Sequence, residues 1–459
     1  MRHLLIFQII LFAFFCSACR KDERITTDAN TKLSFSKDSI LFDTIFTSVG
    51  SATRKIKVLN NNNVALNISE IKLSGGDSSP FGININGQNL SVKNNLVLNG
   101  QDSLNIFIKV TINPDAKNTP FLVQDSIIIT SNGNRKAILL SAYGQNAIFI
   151  NNQNIASNTT WTKNFPYIIN GFVNIKNSAT LSIQPGTKVY FHKDAVMNVE
   201  GILNAYGTLT APIQFCSDRL ETIYSDEPGQ WKGIYIKKTG NGIIKNAIIK
   251  NASVAITSDS LSVNANPKLI LSNTVIKNMQ VAAYIGYHSE LIAFNNLMYN
   301  CGNYIIYAIG GGNYNLKQNT FAGFNPNLPR KTAALTFSDY LAANVYNKLQ
   351  LDLTNNIIWG SLMNEIDIQK KTNAVVQLNF FSNLIKTTST AYNTNGNIIN
   401  SDPIFASPNS GNFFILSTSP ALKKGINLTT DAYFSVYLNE DITGKTRIFP
   451  SSLGCYENY

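Results

Sequence analysis

Between residues 246 and 385 one short phrase keeps returning: an asparagine, two or three mostly apolar residues, and often a second asparagine. It reads NAIIKN at Asn246–Asn251, NTVIKN at Asn273–Asn278, NNLMYN at Asn295–Asn300, NTFAGF at Asn319–Phe324, NNIIWG at Asn355–Gly360 and, more loosely, SNLI at Ser382–Ile385. The first four copies begin 27, 22 and 24 residues apart. A period in that range, carried by apolar alternation without a helical pattern, predicts a parallel β-helix in which each repeat is one coil. Equivalent residues of successive coils then lie about 4.8 Å apart. Asparagine suits such a column because its amide both donates and accepts along the stack, while its backbone tolerates a tight turn. The longer step from Asn319 to Asn355 predicts an extended loop near Asn325–Lys348, and loops of this kind carry binding surfaces.

Composition supports an all-β chain. Of 459 residues, 44% are hydrophobic and only 14% charged, against a usual charged share of about 25%. About sixty asparagines supply the missing polarity, and the bias toward Asn, Ile, Ser and Thr favours strands and turns over helical bundles. The length suggests roughly two to four domains. The formal charge of +11 is dispersed: the doublets Lys237-Lys238, Lys370-Lys371 and Lys423-Lys424 stand far apart. They lack the interleaved aromatics of a nucleic-acid groove, so no nucleic-acid partner is expected.

Residues 33–147 follow another pattern. Period-2 segments such as LFDTIF (Leu41–Phe46), RKIKVLN (Arg54–Asn60), NISEIKL (Asn67–Leu73), SLNIFIKV (Ser103–Val110) and KAILLSAY (Lys136–Tyr143) are separated by turn clusters that include Asn86-Gly87 and Asn132-Gly133. These predict an antiparallel β-sandwich. The β-helix is expected over 148–400. Its opening coils are LSIQPGTKVYF (Leu181–Phe191), VEGILNAYGT (Val199–Thr208), PIQFCS (Pro212–Ser217) and GQWKGIYI (Gly229–Ile236). Residues 401–459 are read as a cap, since the open end of a solenoid needs cover. Within the cap, pairing of Asp441 or Glu457 with Arg447 is read as structural.

The first residues, MRHLLIFQIILFAFFCSAC, have a basic start and an apolar run too short to span a bilayer, which makes residues 1–18 a secretory signal. Their end, Cys16-Ser17-Ala18-Cys19, resembles the lipobox of bacterial lipoproteins, with Cys16 where leucine is usual. The resemblance implies that Cys19 becomes the lipidated first residue; thiolate nucleophilicity suits the acyl transfer, and several acyl chains give durable anchoring. The charged run Arg20–Arg24 is similar to the surface-export signal of Bacteroidetes lipoproteins. Residues 19–32 are then expected to form a lipidated, flexible tether. Of the remaining cysteines, Cys216, Cys301 and Cys455 are odd in number and without a CxxC pair, so buried free thiols are expected.

The stretches FDTIFTSVGSATRKIKVLNNNN, DSIIITSNGN and SDPIFASPNSGNFFILSTSPALKKGIN together resemble a family of Bacteroidetes surface lipoproteins. Members join an amino-terminal immunoglobulin-like module to a single-stranded right-handed parallel β-helix of pectate-lyase-like fold, ending in a choice-of-anchor-type segment. The resemblance, not the periodicity, supplies the hand. It implies anchoring in the outer membrane, facing the exterior, and a non-catalytic binding or scaffold module for a polysaccharide or surface protein. A polysaccharide lyase or glycoside hydrolase is the alternative.

Either enzyme would need recognisable groups: acids holding a cation such as calcium beside an Arg or Lys base, or paired carboxylates about 5–9 Å apart. The one dense acidic group is Asp218, Glu221, Asp226 and Glu227, in a loop ended by Pro and Gly. It reads as a solvated loop, with a calcium or carbohydrate contact as the sharper alternative. Tyr284, Tyr287, His288 and Glu290 form a second group that would suit a sugar through stacking and hydrogen bonds, or else a lateral tyrosine stack. Trp231 reads as a packing anchor or a sugar platform. These nine residues are the candidate ligand contacts; none is assigned a catalytic role, and His192 is placed in a turn.

Overall fold

The computed structural model describes residues 24–114, 120–325, 329–342, 345–371 and 376–459. The signal segment and Cys19 lie outside the described residues. The chain divides into two units, Met1–Asn146 and Ala147–Tyr459. No helix among the described residues is long and apolar enough to cross a membrane.

The first unit is the expected β-sandwich. One sheet holds Ile25–Thr26, Ala65–Leu73, Phe121–Ser131, Asn134–Gln145, Ser39–Phe46 and Val92–Leu98; the other holds Ser34–Phe35, Arg54–Leu59, Ser103–Val110, Phe81–Ile85 and Gln88–Leu90. Alternate residues meet between them, with Ile68, Ile127 and Leu140 of the first sheet packed among Ile56, Ile83 and Ile106 of the second. Two pairings depart from the antiparallel expectation: Ser39–Phe46 runs parallel to Asn134–Gln145, and Ile25–Thr26 runs parallel to Ala65–Leu66. The second departure shortens the tether. Ile25 and Thr26 are β-branched and fit a pleated surface, and the next residues are held as well: the Asn132 and Asn134 amides donate to the carbonyls of Asp28 and Ala29 at 3.1 and 2.7 Å.

The second unit is a parallel β-helix whose strands, from Ile148 to Ile399, form one continuous parallel sheet wound into three faces. The first face stacks Lys188–Phe191, Ile213–Ser217, Ala247–Lys250, Val275–Met279, Leu297–Cys301, Thr320–Gly323, Ile357–Gly360, Leu384–Ile385 and Ile398–Ile399. The second stacks Val196–Val199, Gly233–Ile236, Val254–Asp259, the first halves of Ala282–Phe294 and Tyr304–Lys317, Leu335–Ser338 and Ile366–Gln369. The third runs from Thr180–Ile183 through Leu269–Ser272 to Val376–Phe381. Inward residues fill the bore, among them Phe191, Trp231, Phe215, Tyr284, Tyr314 and Phe337. The expected loop Asn325–Lys348 contains regular strands among its described residues. It contributes the second-face strand Leu335–Ser338 and a hairpin of Tyr340–Ala342 with Val345–Tyr346.

The repeated asparagines do two different things. Asn246, Asn273, Asn295, Gln318, Asn355 and Ser382 stand in one column at the turn before the first face, with φ between 49° and 59°. That left-handed region is tolerated best by glycine and asparagine. The column puts Gln318, one residue before the NTFAGF phrase, in register with Asn295. From Asn295 on, the following residues, Asn296, Asn319, Asn356 and Asn383, are buried and form a ladder with Asn397. Asn319 shows the pattern: its amide donates to the Ala293 carbonyl (2.8 Å) and to Asn356 Oδ1 (3.0 Å), while its Oδ1 accepts from the Asn296 amide (2.9 Å) and backbone N–H (3.0 Å). Each buried amide is thereby satisfied by the coils on either side.

Residues 401–459, read as a cap, run along the outside of the first face, as far as Ile398 of its last strand. The left-handed column leaves its amides pointing outward, and the carboxy-terminal segment accepts them. Asn273 donates to the Asp441 carbonyl (3.1 Å), Asn295 to Glu440 (2.9 Å) and Asn355 to Ile426 (3.0 Å). The segment also covers outward apolar residues of that face, packing Phe413 against Leu297 and Tyr299, and Leu453 against Ile357. Arg447 and Glu457 pair at 3.2 Å, fully buried, and Arg447 also donates to Asn295 Oδ1 at 2.8 Å. Asp441 accepts from the Glu457 backbone N–H at 2.7 Å. These residues are structural, as expected.

Candidate functional site

The stacked register generates the outer surface of the second face. One outward ladder runs Asn154, Asn174, Asn198, Tyr235, Thr257, Ile285, Tyr307, Thr336 and Asp367, one residue per coil. At one end the asparagines bond along the stack, Asn198 to Asn174 at 2.8 Å and Asn174 to Asn154 at 2.9 Å. In the middle the ladder turns aromatic. Tyr287 lies two residues along from Ile285 in the same strand, beside Asp259 of the preceding coil. Tyr307 stacks on Tyr304 with centroids 4.4 Å apart and planes at 20°. The Lys237 ammonium sits 3.5 Å over the Tyr235 ring and that of Lys371 4.2 Å over Tyr340. The result is a half-buried row of tyrosines with lysine, Asp259 and hydroxyl groups around it. Burial first, and then neighbouring Asp259 and Tyr287, raise the Tyr235 phenol; burial, then Tyr304, Tyr287 and Tyr340, raise that of Tyr307. Both stay protonated donors at neutral pH.

The structure keeps only part of the expected Tyr284–Glu290 group at this surface. Tyr284 points into the bore and is fully buried, because it stands an odd number of residues from Tyr287 in one strand and so on the opposite side. It is not a ligand contact. Tyr287 and Glu290 remain half-exposed. His288 sits at φ 48°, where the strand bends from the second face to the third, and its Nδ1 lies 2.8 Å from the Gly310 carbonyl.

The acidic group does not converge on a ligand either. Among the described residues no three His, Cys, Asp or Glu side chains come together to hold a metal ion. Asp218 bonds His192 on the preceding coil at 2.7 Å, and Glu221 pairs with Arg219, whose guanidinium lies 3.8 Å over Tyr224. Asp226 accepts from the Asn278 amide at 2.8 Å, and the carbonyls of Tyr224 and Ser225 accept from Asn251. The loop is thus strapped over a second column of left-handed asparagines, Asn251 and Asn278 (φ 68° and 59°). Glu227 is exposed. Trp231 is buried to 1%, stacked on Phe191 at 3.9 Å with Nε1 donating to the Lys250 carbonyl at 2.9 Å, so it is a packing anchor and not a sugar platform.

The His192–Asp218 pair was missed because its partners come from different coils. Burial raises the Asp218 carboxyl, and the His192 hydrogen bond opposes that rise. The His192 side chain is 54% exposed. The three cysteines are free and buried, and burial pushes each thiol up to about 12, which makes them inert.

No family model matches the chain, and no curated protein does. Solved structures share parts of its geometry at low identity. The catalytic unit of a thermostable α-1,3-glucanase of glycoside hydrolase family 87 from Streptomyces thermodiastaticus is 10% identical over 75% of this chain and 87% of its own, with a TM-score of 0.20. A family 123 glycoside hydrolase from Clostridium perfringens is 14% identical over 24% of this chain, with a TM-score of 0.18; the match spans 23% of that protein's length. The Escherichia coli chaperone DraB is 13% identical over 24% of this chain and 54% of its own, again at 0.18. Likenesses this small decide no activity.

Proposed function

We propose that this chain is an outer-membrane lipoprotein, anchored through Cys19 and facing the exterior, whose β-helix binds glycan on the tyrosine row of its second face. The observation that carries the reading is the row itself: Tyr235, Tyr287 and Tyr307 face outward on one flank, Tyr307 backed by Tyr304. Aromatic rings present apolar faces to the C–H surfaces of sugars while their hydroxyls and the flanking polar groups read the sugar hydroxyls. The scarcity of converging acids fits binding without turnover. A glycan array probed with the soluble chain from Ile25 onward should give a reproducible ligand. Titration calorimetry on that ligand should show Tyr307→Ala roughly tenfold weaker, about 1.4 kcal/mol, with the fold unchanged by circular dichroism. A blank array, or a Tyr307→Ala variant that binds as well as the parent, would count against the reading.

The His192–Asp218 pair supports a second reading, a polysaccharide lyase or glycoside hydrolase in which His192 moves the proton. The Asp218 carboxylate at Nδ1 orients the ring for proton transfer at its other nitrogen. That reading expects unsaturated products or new reducing ends from an acidic polysaccharide, abolished in His192→Ala. Activity unaffected by His192→Ala would remove this pair from the chemistry.

A further inference from the structure

Along the outer edge of the third face one ladder runs Tyr206, Lys245, Ser272, Phe294 and Lys317, one residue per coil. The carboxy-terminal segment covers it from Lys317 to Lys245. Lys317 pairs with Asp431, and Phe294 packs against Tyr433 and Tyr437 with centroids 5.2 and 6.0 Å apart. The Lys245 ammonium donates to the Val436 carbonyl at 3.1 Å and lies 5.3 Å over the Tyr437 ring. There the cover ends, and Tyr206, one coil further, is 43% exposed. The left-handed column ends in the same place. Asn273, Asn295 and Asn355 donate to the segment, but the Asn246 amide donates to the Gly207 carbonyl of the preceding coil at 3.2 Å.

Between the last covered coil and the first bare one lies a pocket of about 400 Å³. Tyr206 and Leu209 line it from the β-helix, and Val436, Tyr437, Asn439 and Glu440 from the segment. The turn at Gly444 (φ 81°) bounds it, set so close to Leu209 that a Cβ there would stand 2.9 Å from Leu209 Cδ2. Two properties of the lining point to a ligand. Leu209 and Val436 are each 54% exposed, so apolar surface is presented here and not packed away. The Tyr206 and Tyr437 hydroxyls, the Asn439 amide and the Glu440 carboxylate have no hydrogen-bond partner among the described residues. Apolar walls with a few open polar groups are the usual form of a small-molecule site.

We propose that this pocket binds one neutral pyranose residue, its C–H face against Tyr206 and its hydroxyls donating to Glu440. The class follows from what is open. A carboxylate only accepts, so the ligand must donate. Lys245, the one cation among the described lining residues, is already committed to the Val436 carbonyl, so a sugar carboxylate would meet Glu440 with no free counter-charge. A pyranose carries hydroxyl donors around an apolar ring face that suits an aromatic wall. The volume lies near the lower end of the roughly 300–1,000 Å³ of ligand pockets, which suits a single ring better than a chain. The pocket shares no residue with the tyrosine row of the second face. The two sites can therefore fail independently.

The test uses the whole chain carrying Cys19→Ser and saturation-transfer NMR with methyl β-glucopyranoside, methyl β-galactopyranoside and methyl α-mannopyranoside, with glucuronate as the charged control. At least one methyl pyranoside should bind with a Kd of about 1 mM, the scale for a ligand of that size, and glucuronate roughly tenfold more weakly. Tyr206→Ala should abolish saturation of the ring protons, whereas Tyr206→Phe, which keeps the aromatic wall, should bind within about threefold of the parent. Glu440→Gln should weaken binding about five- to tenfold. Tyr307→Ala, on the other face, should bind as the parent does. No transfer to any of the three pyranosides at about 20 mM, glucuronate bound as tightly as the neutral sugars, or binding that survives Tyr206→Ala would overturn the proposal. Loss in Tyr307→Ala in place of Tyr206→Ala would overturn it too, and would assign the sugar to the tyrosine row.

Discussion

Lys268 shows how far one residue departs from what its type suggests. It is fully buried, and its ammonium donates to the carbonyls of Lys237 and Lys238 at 2.6 and 2.8 Å. Burial lowers its pKa from 10.5 to about 8, while Asp259 and Glu290 pull the other way. Because the folded value lies below the ordinary one, the unfolded chain holds a proton between pH 8 and 10.5 that the folded chain has released. Stability therefore rises with pH across that window, and the cost of the buried charge is fully present below pH 8. Comparing the chain with Lys268→Met by urea unfolding should show their stability difference moving in favour of Lys268 between pH 7.5 and 10, by on the order of 3 kcal/mol. A difference constant with pH would contradict it. Nothing in the sequence marks this lysine, since the turn that holds it belongs to the preceding coil. The tyrosines were more legible: odd spacing within a strand puts Tyr284 and Tyr287 on opposite sides, so grouping them by nearness in sequence joined a bore residue to a surface one. Tyr235 and Tyr307 meet Tyr287 only through coil register.

At the level of elements, the asparagine phrase was readable because the turn before the first face takes a left-handed residue in coil after coil. From Asn295 on, the residue after that turn is an asparagine of the buried ladder. The register of NTFAGF was the least readable point, for glutamine replaces asparagine at the turn and the phrase starts late. Gln318 keeps φ 58° there and donates to Ser451 Oγ at 2.8 Å. The ladder makes a sharp prediction. Asn356 donates to the Leu316 carbonyl (2.8 Å) and Asn383 Oδ1 (2.9 Å), and accepts from the Asn319 amide and N–H at 3.0 and 2.9 Å. Asn356→Ala orphans buried partners on both neighbouring coils, each worth roughly 1–3 kcal/mol, so urea unfolding of the β-helix should lose about 3–5 kcal/mol. Asn379→Ala on the outer third face removes one half-buried amide and should cost about 1 kcal/mol. Equal effects at the two positions would show that burial does not set the value of the ladder.

Across the whole molecule, the sequence carried the fold class and its two architectures, because alternation and repeat period are local properties. It did not carry the path of residues 401–459. A cap was expected from the general need to cover a solenoid's end, but the segment's partners are outward amides some 70 to 170 residues earlier, such as Asn355 and Asn273. Their availability depends on a backbone conformation no pattern displays. The buried Arg447–Glu457 pair fastens this long-range packing, with Arg447 reaching Asn295 and Glu457 accepting from the Ser452 N–H at 3.0 Å. Desolvation lowers the Arg447 pKa and raises that of Glu457, each opposed by its partner. Removing one member leaves a buried charge alone, so Arg447→Met or Glu457→Gln should each cost about 3–5 kcal/mol. The double variant loses both charges at once and should be less destabilised than the sum of the two, by 1 kcal/mol or more in a double-mutant cycle of the kind that yields roughly 0.5–3 kcal/mol for contacting groups. An additive cycle would mean that Arg447 and Glu457 do not depend on each other and that the segment is held by its apolar cover and asparagine amides.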